Sequence, residues 1–437
     1  MKKIVYSAFF LLMLTLTTGT SGQSVRTYTL DEAILTAKQN NSELLIARMN
    51  KLQADAKVSE VYSENLLPTI TLNSRYTRSF KKQTIQIFGQ NFELGSDNTI
   101  TNFIDATEPI PVLGTPIFSG IKIAEYYSRL MEENVRGTET KITNDVRKAF
   151  LNALLSKQVI ELNKQSISNA RENLRVVEAR YRAGVALEYD FLRAKVKYET
   201  MLPVLKKSEN DYELSKKFLK NAIGLKSNDE IDIRGELKYD SLEVFGNTDE
   251  LIRSISEKNV AIRQLKLNKL VNEQLAEVDY ANYMPKLYFF AQYGLQANEN
   301  DGKSIFRYRY YNSLTAGIGL SWNLNLFATS YKRDQSLIEI RKSEEQINDT
   351  KEKLKIQSQS ILLRIEDARN RIQSQLEIVD EAERGLALAN VSFKSGTLNQ
   401  IDVIDAELVV SQVKLAYIQA IYDYLNARAD LEQLLEK

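Results

Sequence analysis

Neither cysteine nor histidine occurs anywhere in the 437 residues. That excludes disulfides, thiolate nucleophiles, histidine general bases, and the zinc and haem sites built from those ligands. It also rules out a lipid anchor on an N-terminal cysteine. Proline and glycine are scarce, at 6 and 17 residues, which suits long uninterrupted elements. Neither sign of charge dominates. The 58 Lys and Arg against 57 Asp and Glu leave no overall field to attract nucleic acid or an anionic membrane surface. Catalytic constellations are missing too. Without Cys or His an enzyme would need a carboxylate pair or Ser/Lys chemistry, and no such grouping stands out, so no enzyme, cofactor or metal site is expected.

What the chain does have begins at its N-terminus. Lys2 and Lys3 precede an apolar run from Ile4 to Leu16 and a small-residue segment from Thr18 to Gly22. This is the pattern of a signal peptide over residues 1–22, cleaved near Gly22–Gln23. The run is shorter than the roughly 20 apolar residues a spanning helix needs. No later stretch is long and apolar enough either, so membrane passage by the mature chain requires a β-barrel.

Apolar residues at helical spacing (Leu30, Ile34, Ala37, Leu44, Leu45, Ala47, Leu52) predict one helix from Leu30 to about Ser63, stopped by Pro68. From Thr69 the period changes to two, as in a strand. Residues 81–119 carry three prolines (Pro109, Pro111, Pro116), and a second strand is expected within Thr99–Val112. A helical run from about Gly120 to Arg182 would extend on the order of 90 Å and needs partner helices along its length. Ala183-Gly184 breaks it, and a second helix from about Leu187 to Ile223 should kink at Pro203. After a connector over 225–248, a helix is expected from Asp249 to Tyr283, stopped by Pro285, then a strand over Lys286–Gln296. Ser313–Asn325 alternates Leu314, Ala316, Ile318, Leu320, Trp322 and Leu324 with small polar residues. It meets the ~9–11 residues a tilted membrane strand requires, and a soluble sandwich strand would show the same alternation. A long helix returns from about Ser330 to Lys394, then Gly396, then a closing helix to Glu436.

The order repeats. Glu60–Pro68 precedes Glu277–Pro285 by 217 positions, Ile117-Phe118 precedes Leu326-Phe327 by 209, and Gly184 precedes Gly396 by 212. Near-constant offsets mean a tandem duplication, with repeats over about 28–224 and 249–437. Each half reads helix, strand, strand, long helix, turn, shorter helix. Two strands per half give four, too few to close a barrel, since the smallest have about eight. Three copies sharing strands would supply twelve.

The turn residues and their surroundings carry a family resemblance. Pro68 and Pro285, Pro116–Gly120 (PIFSG) with its echo Leu326–Ser330 (LFATS), Tyr181–Gly184 (YRAG), Phe393–Thr397 (FKSGT) and the stretch Asp402–Ala427 occur in order within the duplicated frame. Over essentially its whole mature length, 23–437, the chain resembles the TolC-type outer-membrane efflux proteins. The resemblance implies an α+β membrane channel: a homotrimer with a shared 12-stranded transmembrane β-barrel in outer-membrane lipid, continued by a long periplasmic α-helical barrel. Each protomer would supply four strands and two long helical hairpins. The implied function is a passive exit duct of a tripartite efflux or type I secretion system. Its hairpin tips (Gly184, Gly396, Ala183, Val185, Ser395, Thr397) would dock a periplasmic membrane-fusion adaptor joined to an inner-membrane transporter of the RND, ABC or MFS type. The alternative is an exported coiled-coil scaffold whose strands form a soluble sheet.

The family's acidic motif falls on Asp402 and Asp405, which would line the narrowest part of the periplasmic entrance. Acidic residues in a first helical turn are equally favoured by the free N–H groups there. Shifted by 212, Asp402 corresponds to Asp190 and Asp405 to Arg193. An acid in both halves fits a local helix-start role, and an acid in only one half does not, so Asp405 is the more diagnostic gate residue. Phe393 and Leu398 stand where the best-known members have a Tyr and an Arg that hold the closed tip. Closed-state contacts are therefore expected from Asp190, Tyr181 or Arg193, the alternative being a tip that is less tightly latched.

Overall fold

The computed structural model describes residues 26–226, 228–240 and 247–436. The expected signal peptide and Gly246 of the connector lie outside the described residues. The chain opens with a short strand, β1 (Arg26–Tyr28), and helix α1 (Leu30–Asn40). α1 starts at a full capping box, in which Thr29 and Glu32 satisfy each other's backbone N–H.

The single helix expected from Leu30 is in fact two, α1 and α2 (Ser42–Leu66). Asn41 leaves the helical region (φ −67°, ψ 124°), and its Oδ1 accepts the N–H groups of Glu43 and Leu44. Helical apolar spacing runs through the break, so only the Asn side chain marks it. α2 stops at Leu66, with Leu67 extended ahead of Pro68.

β2 (Thr69–Arg78) leads to a hairpin absent from the sequence expectations, β3 (Gln83–Ile87) and β4 (Gln90–Leu94), turning on Phe88 and Gly89, both at positive φ. β5 (Asn98–Leu113) follows, filling the whole window in which a strand was expected and one residue beyond it at each end. Then come the long helix α3 (Ile117–Arg182) and α4 (Glu188–Ala222), which continues unbroken through Pro203. The connector contains a further strand, β6 (Ile231–Ile233), paired in parallel with β1.

The second half repeats the plan. Asn259 divides its first helix into α5 (Thr248–Lys258) and α6 (Val260–Ala281), correcting the single helix expected there. β7 (Lys286–Glu299) and β8 (Tyr310–Ser321) follow, then α7 (Leu326–Ser395) and α8 (Gln400–Leu434). β8 ends at Ser321 rather than Asn325, because its partner residue is Lys286 and the next residue, Pro285, has no N–H for another rung. Trp322 lies beyond the strand and donates its indole N–H to the Tyr283 carbonyl at 3.1 Å.

β2, β5, β7 and β8 form one antiparallel sheet in that order, with β2 and β8 as open edges. Rows of cross-strand neighbours run through all four strands. Leu72, Ile104, Tyr293 and Leu314 share one row, and Ile70, Ala106, Ala291 and Ala316 another, on the same face. Leu72 is 71% exposed and Leu314 77%, so this apolar face is uncovered in the protomer. The opposite face is polar: Asp105 accepts hydrogen bonds from Asn73 (3.0 Å) and Gln292 (2.6 Å).

Below the sheet, α3 and α7 run the full depth of the molecule. Near the sheet they pack with α2 and α6, and towards the tips with α4 and α8, so the wall changes partners partway down. The main apolar core lies at that change, around Leu44, Ile142, Leu219, Ile223, Ile233, Ile262, Ile361 and Tyr424. There the Asn41 Nδ2 donates to the Ala222 carbonyl (2.9 Å), and the Asn259 Nδ2 donates to the Leu434 carbonyl (3.1 Å). Gly224 (φ +75°) lets α4 end against Asn40, whose carbonyl carbon would lie 2.6 Å from any added Cβ. In the second half Glu436 holds the same left-handed position (φ 57°), paired through its carboxylate with Arg263.

α3 and α7 leave the sheet from one rung, since Leu113 and Ser321 both face Lys286. The repeat offset nevertheless grows from 209 at their first residues, Ile117 and Leu326, to 212 at the tip glycines. α7 thus holds three more residues than α3 between start and tip.

Replacing Asn41 with Ala removes a cap and orphans the Ala222 carbonyl, a loss of about 1–2 kcal/mol. The expected outcome is a lower midpoint of thermal unfolding followed by circular dichroism, with Asn40→Ala, an exposed neighbour, unchanged.

Candidate functional site

The two hairpin tips carry the residues singled out in the sequence. α3 turns into α4 through Ala183 and Gly184 (φ +75°), where Gly184 N–H donates to Tyr181 O and Val185 N–H to Arg180 O, both at 2.9 Å. α7 turns into α8 by the same geometry: Gly396 (φ +82°) donates to Phe393 O and Thr397 to Ser392 O. Only glycine takes this left-handed position without a Cβ penalty. Ala183, Gly184, Val185, Ser395, Gly396 and Thr397 are all exposed.

The two acids differ. The Asp402 carboxylate accepts the Asn399 N–H at 3.0 Å, closing a capping box with Asn399 at the start of α8. Its carboxylate is committed to the helix end. Asp405, one turn on, is exposed and has no side-chain hydrogen bond among the described residues.

Of the expected closed-state residues, Tyr181 stacks on Phe191 within its own hairpin, with ring centroids 5.5 Å apart and planes 6° from parallel. Asp190 and Arg193 are half-buried and make no side-chain hydrogen bond among the described residues. Among the described residues none of the three makes a hydrogen bond or ion pair to the second hairpin.

At the tips, Arg180 makes a contact that does cross between hairpins. Its guanidinium lies 4.7 Å from the centre of the Phe393 ring, and its Nη1 donates to the Phe393 carbonyl at 3.4 Å. Phe393 is 9% exposed, in a small core with Val177, Ala194, Ala389 and Val403 drawn from all four helices. The aromatic ring that lacks a hydroxyl is thus used as packing. The repeat offered a signal for Arg180: its counterpart is Ser392, an asymmetry of the same kind as Asp405 against Arg193.

Beside this core lie two partly open cavities, of about 220 and 260 Å³, the first lined by all four helices and the second by α3, α7 and α8, that share Asn169 and Glu407 in their walls. Glu407 on α8 is half-buried there. Lys197 of α4, Glu172 of α3, Glu383 and Lys394 of α7, and Lys414 of α8 line the same space. Burial raises the Glu407 pKa above its ordinary 4.5, with Lys197 acting against the rise. Glu383 is paired with Lys414, and the Ser166 and Ser411 hydroxyls meet at 3.0 Å.

Among the described residues no group of three or more carboxylates is placed to hold a metal ion, and no helix is long and apolar enough to cross a membrane.

The family model described as "Outer membrane efflux protein" matches residues 33–225 and 251–436. Outer membrane protein TolC of Escherichia coli (strain K12) is 19% identical over 418 residues, covering 91% of this chain and 80% of that protein. The fold is that of the outer-membrane channel OprN (TM-score 0.79, 15% identity, 93% of this chain and 89% of the other). It also matches the outer membrane protein VceC from Vibrio cholerae (TM-score 0.76, 14% identity, 93% and 96%).

A carboxyl whose pKa is raised by packing costs least when protonated. The junction should therefore be tightest below the ordinary Glu range and loosen as pH rises through the raised value. Amide exchange in α8 near Glu407 is expected to quicken, beyond its intrinsic pH dependence, as pH rises from the ordinary Glu range through the raised value. Glu407→Gln should remove that excess, and an unaltered profile in the variant would assign the effect to another group.

Proposed function

The chain belongs to the outer membrane efflux protein family, and from that premise we propose that it is the outer-membrane exit duct of a tripartite efflux or type I secretion system. The observation that carries this reading is the four-stranded sheet, with two open edges and one uncovered apolar face, set above helices of 66 and 70 residues. Open edges demand partners, and an uncovered apolar face suits lipid. Three copies joined β8 to β2 complete a barrel of twelve strands. The polar face with Asp105 and Gln292 then lines the lumen. The same join brings α4 of one copy beside α7 of the next and closes a helical tube below. A soluble scaffold would leave the apolar face without a solvent it tolerates.

In this arrangement the tips at Gly184 and Gly396 dock the periplasmic adaptor, which couples the duct to an inner-membrane transporter. The duct itself is passive. Asp405 is the gate residue: three copies bring three uncommitted carboxylates around the axis, while Asp402 serves the helix start. The Tyr181 hydroxyl and the Asp190 and Arg193 side chains make no hydrogen bonds among the described residues of the protomer and are the groups through which neighbouring copies hold the closed tip. Arg180 and the core around Phe393 keep the two hairpins of one copy together.

Bilayer conductance tests the gate. Asp405→Asn should weaken cation preference and block by divalent ions, whereas Asp402→Asn, which keeps an acceptor for the Asn399 N–H, should change them less. If Asp405→Asn conducts and is blocked like the parent, Asp405 is not at the constriction. A chain recovered as a soluble monomer without detergent would overturn the duct reading altogether.

A further inference from the structure

The hairpin β3–β4 has two unlike faces. Its cross-strand pairs alternate, so Ile85, Ile87, Phe92 and Leu94 lie on one side, flanked by Gln83 and Gln90, and Thr84, Gln86, Asn91 and Glu93 lie on the other. Ile87, Phe92 and Leu94 are exposed, and Phe88 at the turn is fully exposed. A two-stranded hairpin with nothing on its apolar face is marginal in water. A second uncovered apolar pair, Ile305 and Phe306 (95% exposed), sits in the turn between β7 and β8.

Both features are at one end of the sheet and next to its open edges. Arg78, the last residue of β2, shares a row with Asn98 and Glu299, close to where Ala297 faces Tyr310, the first residue of β8. The hairpin follows the edge strand β2, and the Ile305–Phe306 turn precedes the edge strand β8. Between the lipid-compatible face and the hairpin lies a belt of polar bridges. Lys82 pairs with Asp97 (3.0 Å) and donates to Asn300 (2.9 Å), Arg78 pairs with Asp301 (2.8 Å), and Asp301 N–H donates to Asp97 (3.0 Å). This charged belt fixes the base of the hairpin and separates its apolar face from the band that faces lipid.

We propose that the apolar face of the β3–β4 hairpin is covered by the Ile305–Phe306 turn of the neighbouring copy, forming a clasp across each seam at the rim of the barrel. The proposal rests on the shared-barrel reading, because joining β8 of one copy to β2 of the next brings these two patches to one place. It commits to a second copy of this chain as the occupant. The rim contact would continue the strand seam beyond its last hydrogen-bonded rung, so that side-chain burial holds together what backbone pairing no longer reaches.

The absence of native cysteine makes the test direct, since introduced thiols are the only ones present. The double variant Phe92→Cys/Phe306→Cys is oxidised in membranes, denatured and separated without reductant, with Phe88→Cys/Phe306→Cys as a second pair should the first fail to assemble. The expected result is a ladder of covalent dimer and trimer that reduction collapses and that none of the single variants gives. A disulfide mapped within the monomer band would put the turn on its own hairpin and overturn the clasp. A ladder from Phe92→Cys or Phe88→Cys alone would mean that hairpins meet one another, and would overturn it equally. Absence of any ladder from a chain that light scattering shows to be trimeric in detergent rejects the clasp and leaves the barrel standing. A monomer in detergent rejects both.

Discussion

An asparagine side chain bridging two helix ends is the interaction on which the rest of this architecture depends. α3 and α7 are continuous, but their partners are not: α2 gives way to α4, and α6 to α8, at one level of the wall. At each exchange a helix start and a helix finish meet in the interior, and both carry backbone groups with no partner inside their own helix. Asn41 and Asn259 answer both needs with one carboxamide. The oxygen accepts N–H groups of the helix that begins, and the nitrogen donates to a carbonyl of the helix that ends. Without that satisfaction the surrounding apolar core would be weakened, because unpaired polar groups there would each cost about 1–3 kcal/mol. The contact occurs in both halves, with Asn41 bridging to Ala222 and Asn259 to Leu434.

Most of the plan was legible in the sequence where periodicity alone specifies it. The long helices, the strand after Pro68, the strand after Pro285, the tip glycines and the duplication all follow from spacing and from Pro or Gly punctuation. What escaped was encoded by contacts between distant segments. The helix breaks at Asn41 and Asn259 keep apolar spacing across them and are visible only once Ala222 and Leu434 arrive. β1 and β6 have three residues each and exist only as a pair. The β3–β4 hairpin lies in a polar stretch whose short alternation was obscured by its neighbours. At the tips, the glycines and acids could be named from sequence. Glu407 could not, because its significance comes from a cavity supplied by other helices, and Arg180 had only its asymmetry with Ser392 to mark it until the Phe393 ring was in place.

The two hairpins have diverged around a common frame. Tyr181 and Phe393 occupy equivalent positions. The first stacks on Phe191 at the surface, while the second is sealed under Arg180 with Val403, the counterpart of Phe191, beneath it. The exposed arrangement leaves a hydroxyl available, and the buried one trades a hydroxyl for packing. One hairpin thus uses this position to hold the two hairpins of the chain together, while the other keeps its hydroxyl at the surface.

The three extra residues of α7 have a geometric consequence at the far end of the molecule. Starting from a common rung, α7 must either reach about 4.5 Å further than α3 or wind more tightly along its length. If it reaches further, a closed ring of three chains ends not in a flat crown of six equal points but in a serrated one, alternately long and short. A partner settling on that edge would find three equivalent seats rather than six, and its stoichiometry would be written into the length of a helix.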